Sequence, residues 1–264
     1  MSSPILVALA DARALEASWS PDVGIPAGPG WIAGADLQDA SSGPFNALLL
    51  RIGERAGTRD RRTIAASFAL RYGWSSGMVI APYVRSACVP DVSLDNVSFK
   101  FKESTFLERT AIHEARGVVG DSSRALLAVL RQELANQAAP VVEALYTWAG
   151  FSRRGTWGLL TSAWAAHVTG LFDGVDQREV WPALDQLFGG DDLVALMKPR
   201  FHAVTYRNVT HLYQRRASCC RWYLLPRGEL CTSCPLVPHE ERLMKNLAWM
   251  EQQLGGSHVR TGHT

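Results

Sequence analysis

Cys219-Cys220 and Cys231-Thr232-Ser233-Cys234 place four of the chain's five cysteines within sixteen residues. A fold that carries this stretch has to give four reactive sulfurs a common destination. Between the two pairs lies Pro226-Arg227-Gly228. Proline presets φ and glycine tolerates φ > 0, so the apolar run Trp222 to Leu225 is expected to reverse and return as Glu229 to Cys231. Such a turn brings the pairs together, and four thiolates on a short loop suit a zinc site, an iron-sulfur site or a pair of disulfides.

Spacing bears on the choice. Structural zinc sites present each pair as C-x2-4-C, so that both sulfurs reach one tetrahedral ion. Only Cys231 and Cys234 have that spacing. Adjacent cysteines such as Cys219 and Cys220 point apart more readily than they converge, which suits two irons bridged by sulfide better than one zinc. Cross-paired disulfides stay geometrically open, but the chain offers no secretory context for them. Met1 to Trp19 holds only the short apolar stretch Ile5 to Ala10, with no basic residue before it, and does not read as a signal peptide. No run of about 18 to 20 apolar residues occurs, so no transmembrane segment is expected.

The pattern C-C-x10-C-x2-C, followed at once by Pro235, resembles the C-terminal motif of the FhuF-like ferric-siderophore reductases. These are bacterial proteins that carry a 2Fe-2S cluster on four cysteines of this spacing. Chain length and the C-terminal placement of the motif agree with that family. The resemblance implies cluster ligands at Cys219, Cys220, Cys231 and Cys234. It also implies a cytoplasmic protein, with peripheral association at the inner membrane left open. Such a protein passes one electron to a ferric siderophore of hydroxamate type and releases ferrous iron.

Motifs for a bound electron source are missing. Gly28-Pro29-Gly30 lacks the spacing of a dinucleotide loop, and Pro29 removes an amide a phosphate would need. Electrons are therefore expected from an external donor such as a ferredoxin or a reductase protein. Two other readings stay open at this point: a zinc-bound structural or interaction module, and a 2Fe-2S redox or iron sensor without turnover.

With 264 residues, 47% hydrophobic and 20% charged, and a net charge of +2, the composition is that of an ordinary globular protein and names no partner. Local charge is more informative. Lys198 to Gly228 contains Lys198, Arg200, Arg207, Arg215, Arg216, Arg221 and Arg227 and no acidic residue. A cluster on four thiolates is net anionic, so nearby cations favour its reduced form. The same cations suit an acidic electron-transfer protein or an anionic chelate. No nucleic-acid-binding module accompanies them, so no nucleic-acid partner is expected. Arg215, Arg216, Arg221 and Arg227 are candidates for the substrate or partner surface, as are Arg153 and Arg154 in a turn between two helices.

The expected fold is α+β and predominantly α-helical: a helical body, a small antiparallel β element and a C-terminal cysteine-rich turn. Residues 1–190 are expected to form the body and the siderophore-binding region, 191–255 the cluster-binding region and 256–264 a flexible tail. Helix-like apolar spacing covers 4–19, 44–56 and 63–88, with a loop over 20–34. Strand-like alternation covers 97–103, and 106–114 can pair back on it. Further helices are expected from Asp121 or Ser122 to about 137, from Pro140 to Gly150, over 156–172 and 177–188, and after Asp191-Asp192. A last helix opens at Pro238, with Leu243, Leu247, Met250 and Leu254 as the face that packs on the body and covers the cluster. Trp148, Trp157, Trp164 and Trp181 read chiefly as core residues. His113 reads as a structural histidine, Cys88 as a buried hydrophobe, and His211 and His239 as neighbours of the cluster or surface residues.

Overall fold

Two helices that almost touch set the frame. The computed structural model describes residues 3–15, 20–121, 124–171, 180–190, 194 and 197–255. Among these, the helices are α1 (Pro4–Leu15), α2 (Gly43–Ala56), α3 (Arg61–Ser76), α4 (Ile80–Ser86), α5 (Arg124–Ala149), α6 (Arg153–Leu171), α7 (Val180–Phe188) and α8 (His239–Gly255). Helices α3 and α6 approach closely because Gly73 has no side chain: a Cβ there would lie 2.6 Å from that of Ala163. Trp164, fully buried on α6, donates its Nε1–H to Ser76 Oγ at 2.8 Å and so meets the cost of burying its one polar atom. Asp60 starts α3 by accepting from the Arg62 amide, an N-cap that satisfies a donor the helix cannot.

Helix α5 packs against both. Leu126, Leu130, Leu134, Val141, Leu145 and Trp148 form its buried face, and Tyr72 reaches across from α3 to donate to the Gln137 carbonyl at 3.1 Å. The sequence suggested a break before Pro140, but the helix runs through it. Proline costs one amide bond, yet the apolar face is continuous on both sides, and its burial outweighs that loss.

The β structure lies at the edges of this body. Strands β1 (Asp22–Val23), β5 (Leu107–Ile112), β4 (Val97–Phe101) and β2 (Trp31–Ala33) form one sheet in that order. Its centre is the expected antiparallel β4–β5 pair, with β1 joined to β5 in parallel. The expected loop over 20–34 thus contributes two edge strands, too short to show alternation. Strands β3 (Cys88–Pro90) and β6 (Gly117–Val119) form a second pair, which ends the expected helix 63–88 early. A 3-10 turn at Gly77–Val79 also divides that helix into α3 and α4.

A third pair was not expected: β7 (Arg200–Tyr206) and β8 (Val209–Arg215) form a hairpin that leads directly into the cysteines. Its two-residue turn puts Arg207 at φ 47° and Asn208 at φ 66°, the left-handed pair that a tight hairpin requires. Helix α8 lies against β7. It buries Arg242, Asn246 and Met250, while Leu247 is exposed, so the expected face of Leu243, Leu247, Met250 and Leu254 is rotated. The reason is hydrogen bonding: Arg242 donates to the carbonyls of Cys234 and Val237, and Asn246 meets His202 Nε2 at 2.9 Å. The calls on Ser122, 172, 177–179, the short helix after Asp191-Asp192 and the tail 256–264 fall outside the described residues.

Candidate metal centre

The cysteine turn is held from three sides before any metal is considered. Gly158 on α6 lets the incoming strand settle on the helix: a Cβ there would stand 2.9 Å from Ser218 Cβ. One turn on, Ser162 Oγ accepts from the Ala217 amide at 3.2 Å. Arg221 then reaches back to the start of α3, donating to Asp60 Oδ2 at 2.8 Å and to Thr63 Oγ1 at 3.1 Å. The Thr63 hydroxyl, followed by that guanidinium, holds the Asp60 carboxyl below the usual carboxylate range.

The turn itself forms where proline and glycine place it. A 3-10 segment covers Trp222–Leu224, and the Gly228 amide donates to the Leu225 carbonyl at 2.9 Å. Any side chain at position 228 would overlap the Trp222 carbonyl. On the return, the Cys234 amide donates to the Cys231 carbonyl at 2.9 Å, and the Arg216 amide donates to the Ser233 carbonyl at 2.9 Å.

The four sulfurs meet as two pairs. Cys219 Sγ lies 4.0 Å from Cys234 Sγ, and the Cys231 thiol hydrogen-bonds the Cys220 sulfur. Each pair takes one cysteine from either side of the turn. Cys234 is buried and the other three are half-buried. No group of three or more His, Cys, Asp or Glu converges as a lone metal ion would require among the described residues. A tetrahedral zinc, with bonds of about 2.3 Å, would draw all four sulfurs to within about 4 Å of each other. Two separate thiol pairs with no carboxylate or imidazole among them instead fit a binuclear iron-sulfur core.

Positive partners surround the thiols. The Arg216 guanidinium donates to Cys231 Sγ at 2.7 Å and to Ser233 Oγ at 2.8 Å, and the Arg221 amide donates to Cys219 Sγ at 3.3 Å. The Cys231 hydrogen bond, the Arg216 charge and the Trp222 amide hold the Cys220 thiol down at about 5. Cys231 keeps the shared proton and is pushed up, first by Cys220 and then by burial, while burial also raises Cys219. Cys88 is 1% exposed in β3, and burial pushes it up to about 11.

A comparison with protein-family models matches residues 216–236 to the FhuF 2Fe-2S C-terminal domain. That segment is similar to the FhuF 2Fe-2S C-terminal domain, whose cofactor is a 2Fe-2S cluster. A search of curated proteins found no match. The FhuF segment contains all four thiols and both Arg216 and Arg221.

The other candidate residues are dispersed. Arg215 donates to the Pro235 carbonyl at 2.8 Å, and Arg227 is exposed beside the turn. Arg153 is occupied by Glu143 at 2.6 Å and stacks on Tyr146. Arg154, Lys198, Arg200, Arg215 and Arg216 line one basic recess beside the FhuF segment, with no acidic residue in its wall. Trp148, Trp157 and Trp164 are core residues, as expected, and His113 pairs with Ser98 at 2.8 Å. His211 packs on Tyr213 and Trp249, and His239 on His202.

Sequence reading missed the aromatic residues that do face outward near the thiols. Trp74 at the end of α3, Phe106 before β5 and Trp222 in the turn are 42%, 58% and 47% exposed. Trp222 lies within the motif, two residues after Cys220, and was in view, whereas Trp74 and Phe106 are brought to it only by the tertiary fold.

Proposed function

We propose that the protein is a ferric-siderophore reductase. In this reading Cys219, Cys220, Cys231 and Cys234 hold the 2Fe-2S cluster. The observation that carries it is the coincidence of the FhuF match with four thiols arranged as two pairs on a surface turn. When bound, the cluster supplies one electron at a time.

The residues around the thiols suit that task. Arg216 and the Arg221 amide supply donors to sulfur, which favour the more negative, reduced form and raise its potential. Three half-buried cysteines keep the site close to the surface, within reach of a substrate that stays outside the core. The substrate is a ferric hydroxamate siderophore. Hard hydroxamate oxygens prefer ferric to ferrous iron, and each tenfold preference lowers the chelate's potential by about 59 mV. Reduction therefore releases the metal.

The helical body, residues 1–190, contributes the wall that meets the siderophore, and residues 191–255 contribute the cluster. The basic recess of Arg154, Lys198, Arg200, Arg215 and Arg216 receives the electron donor, an acidic ferredoxin or a reductase protein. The site of action is the cytoplasm, where thiolates persist. No helix among the described residues is long and apolar enough to cross a membrane.

The test is iron and sulfide analysis with EPR on protein purified without oxygen, followed by an assay for ferrous iron released from a ferric trihydroxamate. Two irons per chain, a signal only on reduction, and ferrous iron formed in step with reoxidation support the reading. A colourless protein holding one zinc would overturn it. So would a cluster protein that leaves the ferric chelate intact.

A further inference from the structure

A cavity of about 580 Å³ opens directly onto one side of the thiol site. Cys220 and Cys231 form part of its wall, and Leu70, Trp74, Phe106, Leu107 and Trp222 make most of the remainder. Its size lies within the range of small-molecule sites. Exposed rings gathered beside a redox centre carry a solvation cost that a bound molecule would remove.

Besides Ser67 and His167, the polar side chains in that wall are two arginines. Arg71 lies over the Phe106 ring at 4.6 Å and donates to the Ser67 carbonyl at 2.9 Å, while its Nε is buried with no hydrogen-bond partner. Burial pushes its guanidinium down to about 10, so it still carries its charge at neutral pH. Arg216 reaches Cys231 and Ser233 with two of its nitrogens, and its third, Nη1, is also buried and unpaired. Neither arginine meets a carboxylate among the described residues. Two guanidinium groups in the wall of one apolar cavity favour oxygen acceptors from outside the chain.

We infer that this cavity is the seat of the ferric chelate, and that it takes an electroneutral trihydroxamate whose methylene chains pack on Trp74, Phe106 and Trp222 while its oxygens face Arg71 and Arg216. The inference rests on the reductase reading and specifies where the substrate binds. Three monoanionic hydroxamates balance the ferric charge, so the complex enters an apolar cavity without the desolvation penalty of a multiply charged tricatecholate. A cluster held by the four cysteines would supply one electron through the wall that Cys220 and Cys231 form, turning the ferric ion ferrous with no covalent bond or proton transferred, and the external one-electron donor protein would replace that electron. The chelate then carries one negative charge, which Arg71 and Arg216 stabilise more than the neutral complex. Binding therefore favours the product of electron transfer, raising the potential of the bound chelate.

The test separates binding from turnover by using gallium(III) desferrioxamine E, a redox-inert and uncharged trihydroxamate complex, on cluster-loaded protein without oxygen. Calorimetry on the wild type and on the Phe106→Asp and Arg71→Met variants gives affinity, and EPR of the reduced protein checks that each variant keeps its cluster. Saturable binding is expected, weakened at least about tenfold in both variants with an unchanged EPR signal. KM for ferric desferrioxamine E should rise in parallel with Kd in Phe106→Asp. If the wild type reduces the ferric chelate but both variants retain its Kd and KM, the cavity assignment is overturned while the reductase reading stands. Tighter binding of an anionic gallium tricatecholate than of the neutral complex overturns the assigned substrate class. A wild type that neither binds the gallium complex nor reduces the ferric one overturns both.

Discussion

The Arg216 guanidinium donates to Cys231 Sγ at 2.7 Å, so a charged contact of the thiol site comes from the residue that directly follows β8. Removing this donor withdraws a charge-assisted hydrogen bond from a sulfur that gains negative charge on reduction. Arg216→Met is expected to lower the cluster potential by roughly 60 mV, a tenfold change for a one-electron couple. An EPR-monitored redox titration checks it, and an unchanged potential would dismiss the electrostatic role of Arg216.

Arg221 acts differently, because its side chain is spent on Asp60 and Thr63. Asp60→Ala removes both the α3 cap and the tether to the turn, and is expected to cost about 1 to 2 kcal/mol in urea unfolding. The Asp60 carboxyl is held below its ordinary value in the fold, so its contribution is complete above that value. It is lost as the pH falls through the depressed one. The variant should accordingly lose less stability than the wild type on acidification below about pH 4.

At Gly228 the constraint is steric. Because a Cβ would overlap the Trp222 carbonyl, Gly228→Ala is expected to open the turn and separate the thiol pairs. Iron content should fall to less than about half of the wild-type value, with the helical circular dichroism preserved, since the turn lies outside the core. Full iron loading in this variant would show that the turn tolerates rearrangement.

His167 offers a test of the body rather than the site. It is 2% exposed and donates Nε2–H to the Trp74 carbonyl at 2.7 Å, and burial lowers its pKa from 6.5 to about 4. The unfolded chain therefore binds a proton that the folded one refuses between those values, and stability must fall as the pH drops from about 6.5 towards 4. The loss is roughly 3 kcal/mol. Urea titrations of wild type and His167→Gln across this range should show a slope that the variant lacks.

Electron entry should depend on salt. If the recess of Arg154, Lys198, Arg200, Arg215 and Arg216 guides an acidic donor, stopped-flow reduction should slow roughly tenfold between about 0.05 and 0.5 M salt. Arg154→Glu with Arg200→Glu should reproduce that loss at low salt. A rate indifferent to both would place donor entry elsewhere.

What could be read in advance followed the range of the interactions. The turn at Pro226-Arg227-Gly228 was legible because it is local, and so were the helix end at Ala56 and the β4–β5 pair. Pro140 misled because local geometry argued for a break while burial of Leu134, Val141 and Leu145 argued for continuity, and burial is the larger energy. The β7–β8 hairpin was hidden by a turn of Arg207-Asn208 instead of the usual Asn-Gly. The aromatic wall of the cavity was beyond reach, since Trp74, Phe106 and Trp222 are widely separated in sequence and meet only through α3 and the sheet.

The anchoring of the cysteine segment has a consequence for maturation. Ser162 grips the Ala217 amide and Asp60 grips Arg221, and neither contact involves a sulfur. Both partners precede the motif in the chain, so they emerge from the ribosome first and can be in place when the cysteines arrive. The body therefore holds the cysteine segment through groups other than its sulfurs, and the surface that would receive a cluster is positioned by residues far from the motif in sequence.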